Sequence, residues 1–117
     1  MKITVNNWKT KPFNEKYEEM HLNRIFDEEE LKIIKKGHLP EEMEDKWFVY
    51  YENNRLYVHR SWTGLCMFVV DISDNGQIIS AKVTRDSGYR SSSLDKDKSL
   101  LFFVINNVLL ELDMDIK

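Results

Sequence analysis

"KWFVYYENNRLYVHRSWTGLCMFVVDISDNGQIISAKVTR", residues 46–85, is the stretch that decides the fold. It contains runs rich in β-branched and aromatic residues, which favour strands. Between the runs lie Asn53-Asn54, Thr63-Gly64 and Asn75-Gly76, and such pairs are typical of two-residue hairpin turns. The stretch therefore predicts an antiparallel meander of four strands, at residues 46–52, 55–62, 65–73 and 77–85.

Helical patterns flank this meander. In "FDEEELKIIKKG", residues 26–37, Asp27 and Glu30 form a capping box, and Gly37 ends the helix. A longer helix is predicted from Leu94 to about Leu112, capped by Ser92 or Ser93, and its apolar middle predicts deep burial.

Two N-terminal segments are harder to assign. "KITV", residues 2–5, alternates polar and apolar side chains and is compatible with an additional edge strand. Residues 7–25 show no period and are predicted to be irregular, whereas "HLPEEMED", residues 38–45, is an acidic connector that could form one helical turn from Pro40. The prediction is a single α+β domain over residues 1–117: the meander, a long C-terminal helix and a short N-terminal helix.

Composition limits the classes of protein to consider. The 117 residues, 42% hydrophobic and 32% charged, are typical of one globular domain. A net charge of −3 argues against non-specific binding to nucleic acid, which needs a basic surface. Cys66 is the only cysteine, so no internal disulfide can form. With no signal-peptide pattern and no long apolar run, we expect a cytoplasmic protein that does not associate with membranes.

The register of the predicted sheet follows from the turns. If every turn holds two residues, Trp47 faces Arg60, Arg60 faces Met67, and Met67 faces Thr84. The neighbouring row lies on the opposite face, the expected floor of the core under the C-terminal helix. Its members are Phe48, His59, Phe68 and Val83, joined by Tyr50, Tyr57, Val70, Ile72, Ile79 and Ala81. The face that carries Arg60 is expected to be partly covered by the N-terminal segment.

Three connections reach the same end of this sheet: the acidic connector, the turn "SWTG" at residues 61–64 and the loop "RDSGYRSSS" at residues 85–93. They predict a rim where charged and aromatic side chains meet. The ligand-binding candidates are Lys46, Trp47, Arg60, Trp62, Thr63, Arg85, Arg90 and Ser91, and the candidate structural or acid–base residues are Glu44 and Asp45.

Arg60 is the central candidate of this rim. Beside Trp47 and Trp62 it could hold an anionic ligand, because guanidinium binds phosphate or carboxylate and an indole stacks on a base or sugar. Alternatively, Arg60 is a folding device that packs under an indole and forms an ion pair with Glu44 or Asp45. The residue types alone leave both interpretations open.

The remaining motifs carry weaker signals. The loop at residues 85–93 offers Gly88, hydroxyl groups and Arg90 before a helix, as a phosphate cradle does, but it could equally be a polar loop with an N-cap. "EDK", residues 44–46, matches the acid-x-lysine fragment of some metal-dependent nucleases, yet no upstream metal-binding acid can be placed. His59 and Cys66 are predicted to pack in the core. No metal-ligand spacing is present, so neither a metal nor a cofactor is predicted.

Residues 43–64, "MEDKWFVYYENNRLYVHRSWTG", resemble a family of small bacterial or phage proteins with a core motif like M-E-D-K-W-F-x-Y-Y-E…L-Y-x-H-R-S-W-T-G. Such segments occur beside, or joined to, proteins that handle ADP-ribose. The resemblance implies a role near ADP-ribose and no catalytic assignment. The positions it carries over are Glu44, Asp45, Lys46, Trp47, Arg60, Ser61, Trp62, Thr63 and Gly64.

The sequence is compatible with three functions. The first is a non-catalytic binding protein for an anionic, nucleotide-like ligand such as ADP-ribose, possessing the features of a phage-type sequestering protein. The second is a protein antagonist, such as a toxin-immunity or anti-defence protein, whose acidic stretches face a basic partner. The third is a nucleotide hydrolase that uses Glu44 or Asp45. Exposed aromatic rings among Trp8, Tyr17 and Tyr89 would indicate a homo-oligomer.

Overall fold

The computed structural model describes residues 3–85 and 93–111, and it confirms the α+β class. One five-stranded antiparallel sheet has the order β1-β5-β4-β3-β2. The elements are β1 (Tyr17–Met20), α1 (Glu28–Lys36), β2 (Trp47–Glu52), β3 (Arg55–Arg60), β4 (Cys66–Ile72), β5 (Ile78–Thr84) and α2 (Leu94–Phe103). A short 3-10 helix, Val5–Asn7, precedes β1, and a π-helical segment, Val104–Leu109, continues α2.

The additional edge strand is β1, so its prediction at residues 2–5 and the irregular structure predicted around 17–20 were both wrong. Thr4 instead caps the 3-10 helix at Val5–Asn7. The sequence of β1, "YEEM", shows no alternation of polar and apolar residues that would predict a strand, because only Met20 is buried. The strand is held by its backbone pairing with β5, and charged side chains are common on edge strands.

The helix ends follow the capping residues. Asp27 accepts a hydrogen bond from the Glu30 amide (2.8 Å), and the Glu30 side chain accepts one from the Asp27 amide (3.0 Å), which confirms the capping box. Ser93 caps α2 through the Lys96 amide (3.3 Å), whereas Ser92 and Leu112 lie outside the described residues. The connector forms a hydrogen-bonded turn from Glu42 to Asp45, not the helical turn expected from Pro40.

The register is correct throughout the β2–β3 hairpin, correct in part of the β4–β5 hairpin and wrong in the β3–β4 hairpin. Between β4 and β5 the loop holds three residues instead of two, because the Ser73 amide donates to the Gln77 carbonyl, and a bulge at Ile79 restores the predicted pairing from Asp71 to Phe68. Trp47 pairs with Arg60 as predicted, and Phe68 pairs with Val83 as predicted. Between β3 and β4, however, the loop holds four residues, because Arg60 pairs with Leu65. A bulge follows, in which Met67 is an extra residue between the pairs His59–Cys66 and Val58–Phe68. The net slip is one residue, so β2 and β3 present opposite faces from those expected.

The helices cover one face of the sheet. Their core includes Trp47, Val49, Leu56, Val58, Phe68, Val70, Ala81, Val83, Leu101, Val104 and Ile105. The predicted floor was therefore right for Phe68, Val70, Ile72, Ala81 and Val83 but wrong for Phe48, Tyr50, Tyr57 and His59, which lie on the opposite face, and for Ile79, which is 67% exposed.

The opposite face is covered by residues 3–13, which we call the N-terminal strap. The Trp8 ring stacks on Phe48 with 6.1 Å between centroids, and the Lys11 amide donates to the Gly64 carbonyl at 2.9 Å. Under the strap Phe48 and His59 are almost fully buried. The strap thus covers the face of His59, not the face of Arg60 as expected. In the described part of the chain, no helix has the length and apolar character needed to cross a bilayer.

Gly76, in the turn between β4 and β5, is expected to tolerate no side chain. Its φ of +91° is a conformation that favours glycine, and a Cβ there would overlap the carbonyl oxygen of Phe26. We expect Gly76→Ala to lower the free energy of unfolding by about 2–3 kcal/mol, measured by urea denaturation. Asp74→Ala, in the same turn, removes only an exposed hydrogen bond to Asn54 and should cost under about 1 kcal/mol. Equal losses in both variants would contradict this.

Candidate functional site

A groove lies where β2 begins and β3 ends, with a volume of about 430 Å³. We call it the Arg60 groove. Its lining residues are Met43, Glu44, Lys46, Arg60, Ser61, Trp62 and Thr63. Five of the sequence-predicted residues therefore meet in one depression: Glu44, Lys46, Arg60, Trp62 and Thr63. Its volume is in the range of small-molecule sites.

Arg60 occupies the last position of β3 and is half-buried. Its guanidinium lies 5.4 Å from the centre of the Trp47 ring, and Trp47 itself is buried. Among the described residues, no carboxylate lies within ion-pair distance of Arg60. The alternative in which Arg60 forms an ion pair with Glu44 or Asp45 is therefore not observed, whereas its packing against an indole is.

Asp45 is engaged elsewhere, which explains why it does not neutralise Arg60. Its Oδ2 lies 2.7 Å from Nε2 of His38 and accepts the Glu41 amide at 3.3 Å. Its Oδ1 accepts the Trp47 amide at 3.4 Å. The carboxylate thus shapes the connector and directs β2 into the sheet, and it is not part of the groove lining.

Hydrogen bonds between the two walls hold the groove open. The Ser61 hydroxyl donates to the Asp45 carbonyl, and the Ser61 amide donates to the Lys46 carbonyl, each at 2.8 Å. The Trp62 Nε1–H donates to the Met43 carbonyl at 2.8 Å. The indole of Trp62 is nevertheless 75% exposed. The groove is therefore preformed, with one large aromatic surface facing solvent.

The charges in the groove suit an anion that also carries hydrogen-bond donors. Lys46 and Arg60 are cations, and Glu44 is the only carboxylate among the described residues of the lining. Guanidinium is planar and donates in pairs to phosphate or carboxylate oxygens, while an indole binds the face of a flat ring. The lining thus combines groups for an anion with a surface for stacking.

Arg85 lies apart from this groove. It follows β5, which β4 separates from β3, and its guanidinium contacts Glu18 at 3.0 Å and Asp97 at 2.8 Å. The pKa of Arg85 is raised, first by its hydrogen bond to Glu18 and also by Asp97, against the effect of burial. Arg90 and Ser91, with most of the predicted phosphate cradle, lie outside the described residues.

Met43 lines the groove but was not among the site residues predicted from the sequence. Its side chain is 75% exposed, and its carbonyl holds the Trp62 ring. Its position in the motif at residues 43–64 was the available signal. The contact itself depends on the turn at Glu42–Asp45, which no local pattern of the sequence predicts.

His59 is buried between aromatic rings, as a core histidine should be. Only 2% of its surface is exposed, and the centre of its ring lies 5.9 Å from the ring centre of Phe48 and 5.6 Å from that of Tyr50. Nδ1 lies 3.0 Å from the Gly64 carbonyl, so Nδ1 carries the proton and donates. Burial lowers the pKa of His59, although the Gly64 hydrogen bond opposes this. Burial also raises the pKa of the nearby Cys66 thiol to about 12, which makes a nucleophilic role unfavourable.

The lowered pKa of His59 predicts a loss of stability in mild acid. The unfolded chain takes up a proton near pH 6.5, whereas the folded chain does so only at lower pH. Between these values the free energy of unfolding falls as pH falls, by up to about 1.4 kcal/mol per pH unit. We expect this contribution to be absent in His59→Phe, as measured by urea denaturation at pH 7 and pH 5. Identical pH dependence in both proteins would contradict the assignment.

Within the described residues no group of three or more histidine, cysteine, aspartate or glutamate side chains is placed to hold a metal ion. No protein-family model, curated protein or solved structure matches this chain. The resemblance of residues 43–64 to the bacterial and phage family therefore stays a prediction.

Proposed function

We propose that this protein is a small, non-catalytic binding protein for an anionic, nucleotide-like ligand. The observation that carries the proposal is the Arg60 guanidinium, which packs on Trp47 without a carboxylate partner among the described residues and lines an open groove. ADP-ribose derivatives are the first candidates, and this choice rests on the resemblance of residues 43–64. A protein of this kind could sequester a nucleotide signal, as a phage-encoded protein would.

The Arg60 guanidinium supports this proposal because no carboxylate in the described part of the chain occupies its donors, which a ligand could therefore use. Hydrogen bonds to a charged group contribute about 1.5–3 kcal/mol each, more than bonds between neutral groups. Packing on Trp47 also restricts the guanidinium, so less side-chain entropy is lost when an anion binds. Lys46 in the same lining adds a second cation for a phosphate group.

Trp62 supports the nucleotide-like part of the proposal. Its indole is anchored at one edge by the Met43 carbonyl and exposes most of its surface beside the cations. A ligand with a phosphate and a base could thus place the phosphate at Arg60 and the base on Trp62. Glu44 would accept hydrogen bonds from a sugar hydroxyl or an exocyclic amine.

A thermal-shift screen tests the proposal directly. The protein is melted with ADP-ribose, its cyclic forms, NAD, mono- and dinucleotides and cyclic dinucleotides, and hits are measured by calorimetry. A ligand that binds only the folded state raises stability by about 2.7 kcal/mol at a hundredfold excess over Kd. Chromatography of the recovered ligand then separates binding from turnover. No shift with any of these compounds would overturn the proposal.

Trp62→Ala is expected to weaken the binding of a hit by about tenfold, because stacking of a base on an aromatic side chain contributes about 1–3 kcal/mol. Trp62→Phe should keep most of the affinity, since a ring remains. Calorimetry measures both. Phe103→Ala is the matched control, because Phe103 is an aromatic residue on α2, is 50% exposed and is not among the residues that line the groove. Equal affinity of the wild type and Trp62→Ala would contradict the stacking role.

One observation favours the protein antagonist as the second candidate. Met43 and Trp62 are each 75% exposed, and they adjoin a depression that Glu41 and Glu42 also line. Exposed aromatic and methionine side chains beside acidic ones would suit a basic protein partner. A pull-down from host lysate should then recover a stoichiometric partner that the double variant Met43→Ser/Trp62→Ser loses. The hydrolase is less favoured, because Asp45 is already paired with His38.

A further inference from the structure

A second groove lies on the opposite face of the sheet from Arg60, between the sheet and the N-terminal strap. Its volume is about 340 Å³, and Phe13, Tyr50, Tyr57, His59 and Cys66 are among its lining residues. The register places the four sheet residues on the face away from the helices, whereas Trp47 and Arg60 belong to the other face. This groove is therefore separate from the Arg60 groove.

The feature that indicates a ligand is the second ring nitrogen of His59. Nδ1 donates to the Gly64 carbonyl, which leaves Nε2 as a bare acceptor in the neutral ring. Nε2 is buried, and it has no hydrogen-bond partner among the described residues. Buried acceptors are rarely left without a hydrogen bond, because the bonds that water makes to them in the unfolded chain are then lost without replacement.

The lining restricts what could supply the missing donor. Tyr50 and Tyr57 stack with ring centroids 4.6 Å apart and an interplanar angle of 10°, and Tyr50 also stacks on His59 at 5.6 Å. These parallel rings, with Phe13 from the strap, favour a flat aromatic molecule over a bulky one, and Lys11 in the same lining disfavours a cation. Since Nε2 has almost no accessible surface, a ligand donor can reach it only when the strap or a covering side chain shifts to admit the ligand beside His59.

We propose that this second groove binds a small, neutral aromatic molecule with one N–H or O–H donor, of the indole or phenol class, and that His59 Nε2 accepts its hydrogen bond. The lowered pKa of His59 agrees with this, because the ring stays neutral and able to accept at physiological pH. The site is independent of the anionic ligand proposed for the Arg60 groove.

The experiment compares indole with 1-methylindole, which has the same ring system and no donor. Both are titrated into the full chain, and calorimetry is combined with the ¹⁵N resonance of His59 Nε2. We expect indole to bind about tenfold more tightly than 1-methylindole, because only indole can donate a buried hydrogen bond to Nε2. Indole should also shift the Nε2 resonance. Equal affinities, or no binding of either compound at millimolar concentration, would overturn the proposal. So would an Nε2 hydrogen bond that is present without indole, which would identify a bound water molecule.

Two variants locate the effect. His59→Phe keeps an aromatic ring between Phe48 and Tyr50 but removes the acceptor, and it should bind indole and 1-methylindole equally. Arg60→Ala should keep the preference for indole, because Arg60 lies on the other face. Loss of the preference in Arg60→Ala would place the indole in the Arg60 groove and contradict the proposal. If His59→Phe does not fold, the affinities of the wild-type protein for indole and 1-methylindole still test the proposal.

Discussion

Arg60→Ala should lower the affinity for the anionic ligand by at least about 100-fold while the protein stays folded. The variant removes the guanidinium that has no carboxylate partner among the described residues and that lines the groove. Two charge-assisted hydrogen bonds are worth at least about 2.7 kcal/mol, which corresponds to a factor of 100 in Kd. The folded state loses the contact with Trp47, which costs about 1 kcal/mol. Calorimetry with the best ligand from the screen measures the first effect, and urea denaturation measures the second.

The chain offers a matched control for this experiment on the same strand. Arg55 begins β3, at the opposite end from Arg60, and its side chain pairs with Asp71 at 2.7 Å. Arg55→Ala should leave ligand affinity unchanged. Arg60→Lys keeps the charge but not the planar pair of donors, so its affinity should fall between those of the wild type and Arg60→Ala. If Arg60→Ala unfolds instead of losing affinity, Arg60 is a structural residue and the proposed function loses its main support.

Arg85→Met should lower the free energy of unfolding by about 3 kcal/mol and the melting temperature by about 10 °C. Arg85 connects three elements: its amide donates to the Lys16 carbonyl before β1, and its guanidinium contacts Glu18 on β1 and Asp97 on α2. The side chain of Asp97 is completely buried, so the variant takes a cationic partner from a carboxylate that water cannot reach. Urea denaturation monitored by circular dichroism measures the loss.

Glu18→Gln tests the same arginine through its exposed partner. The hydrogen bond to Glu18 is the largest cause of the raised pKa of Arg85, but the Glu18 side chain is 52% exposed. Water screens such a pair, so the variant should cost under about 1 kcal/mol. A loss in Glu18→Gln as large as in Arg85→Met would show that burial of Asp97 is not what makes this cluster important.

The fold was largely predictable because its signals are local. The capping box at Asp27 and Glu30, the turn at Asn53-Asn54 and the turn at Asn75-Gly76 each depend on residues close in sequence. The positive φ values of Asn53 (53°) and Asn54 (64°) are those of a tight hairpin turn. The strand β1 was not predictable in this way, since it is held by pairing with β5 and not by its own pattern.

The candidate site was predictable in its members but not in its contacts. The arithmetic of the first hairpin places Arg60 opposite Trp47, and the motif at residues 43–64 includes all the described residues that line the groove. The alternative ion pair between Arg60 and Asp45 does not form, because Asp45 has a partner in His38, seven positions earlier in the chain. Which partner Asp45 binds depends on the path of the connector through space. The order of residues in the sequence does not predict which of several charged partners a carboxylate will bind.

The extra residue Met67 marks a point where the sheet can change its length without changing its faces. Met67 lies between the pairs His59–Cys66 and Val58–Phe68, so its loss would close the bulge and leave both pairs in place. Trp47 and Arg60 would then stay on the face that the helices cover, and Phe48 and His59 would stay on the opposite face. One residue can therefore be lost at position 67 without exchanging the two grooves, at the cost of the buried contacts of the Met67 side chain.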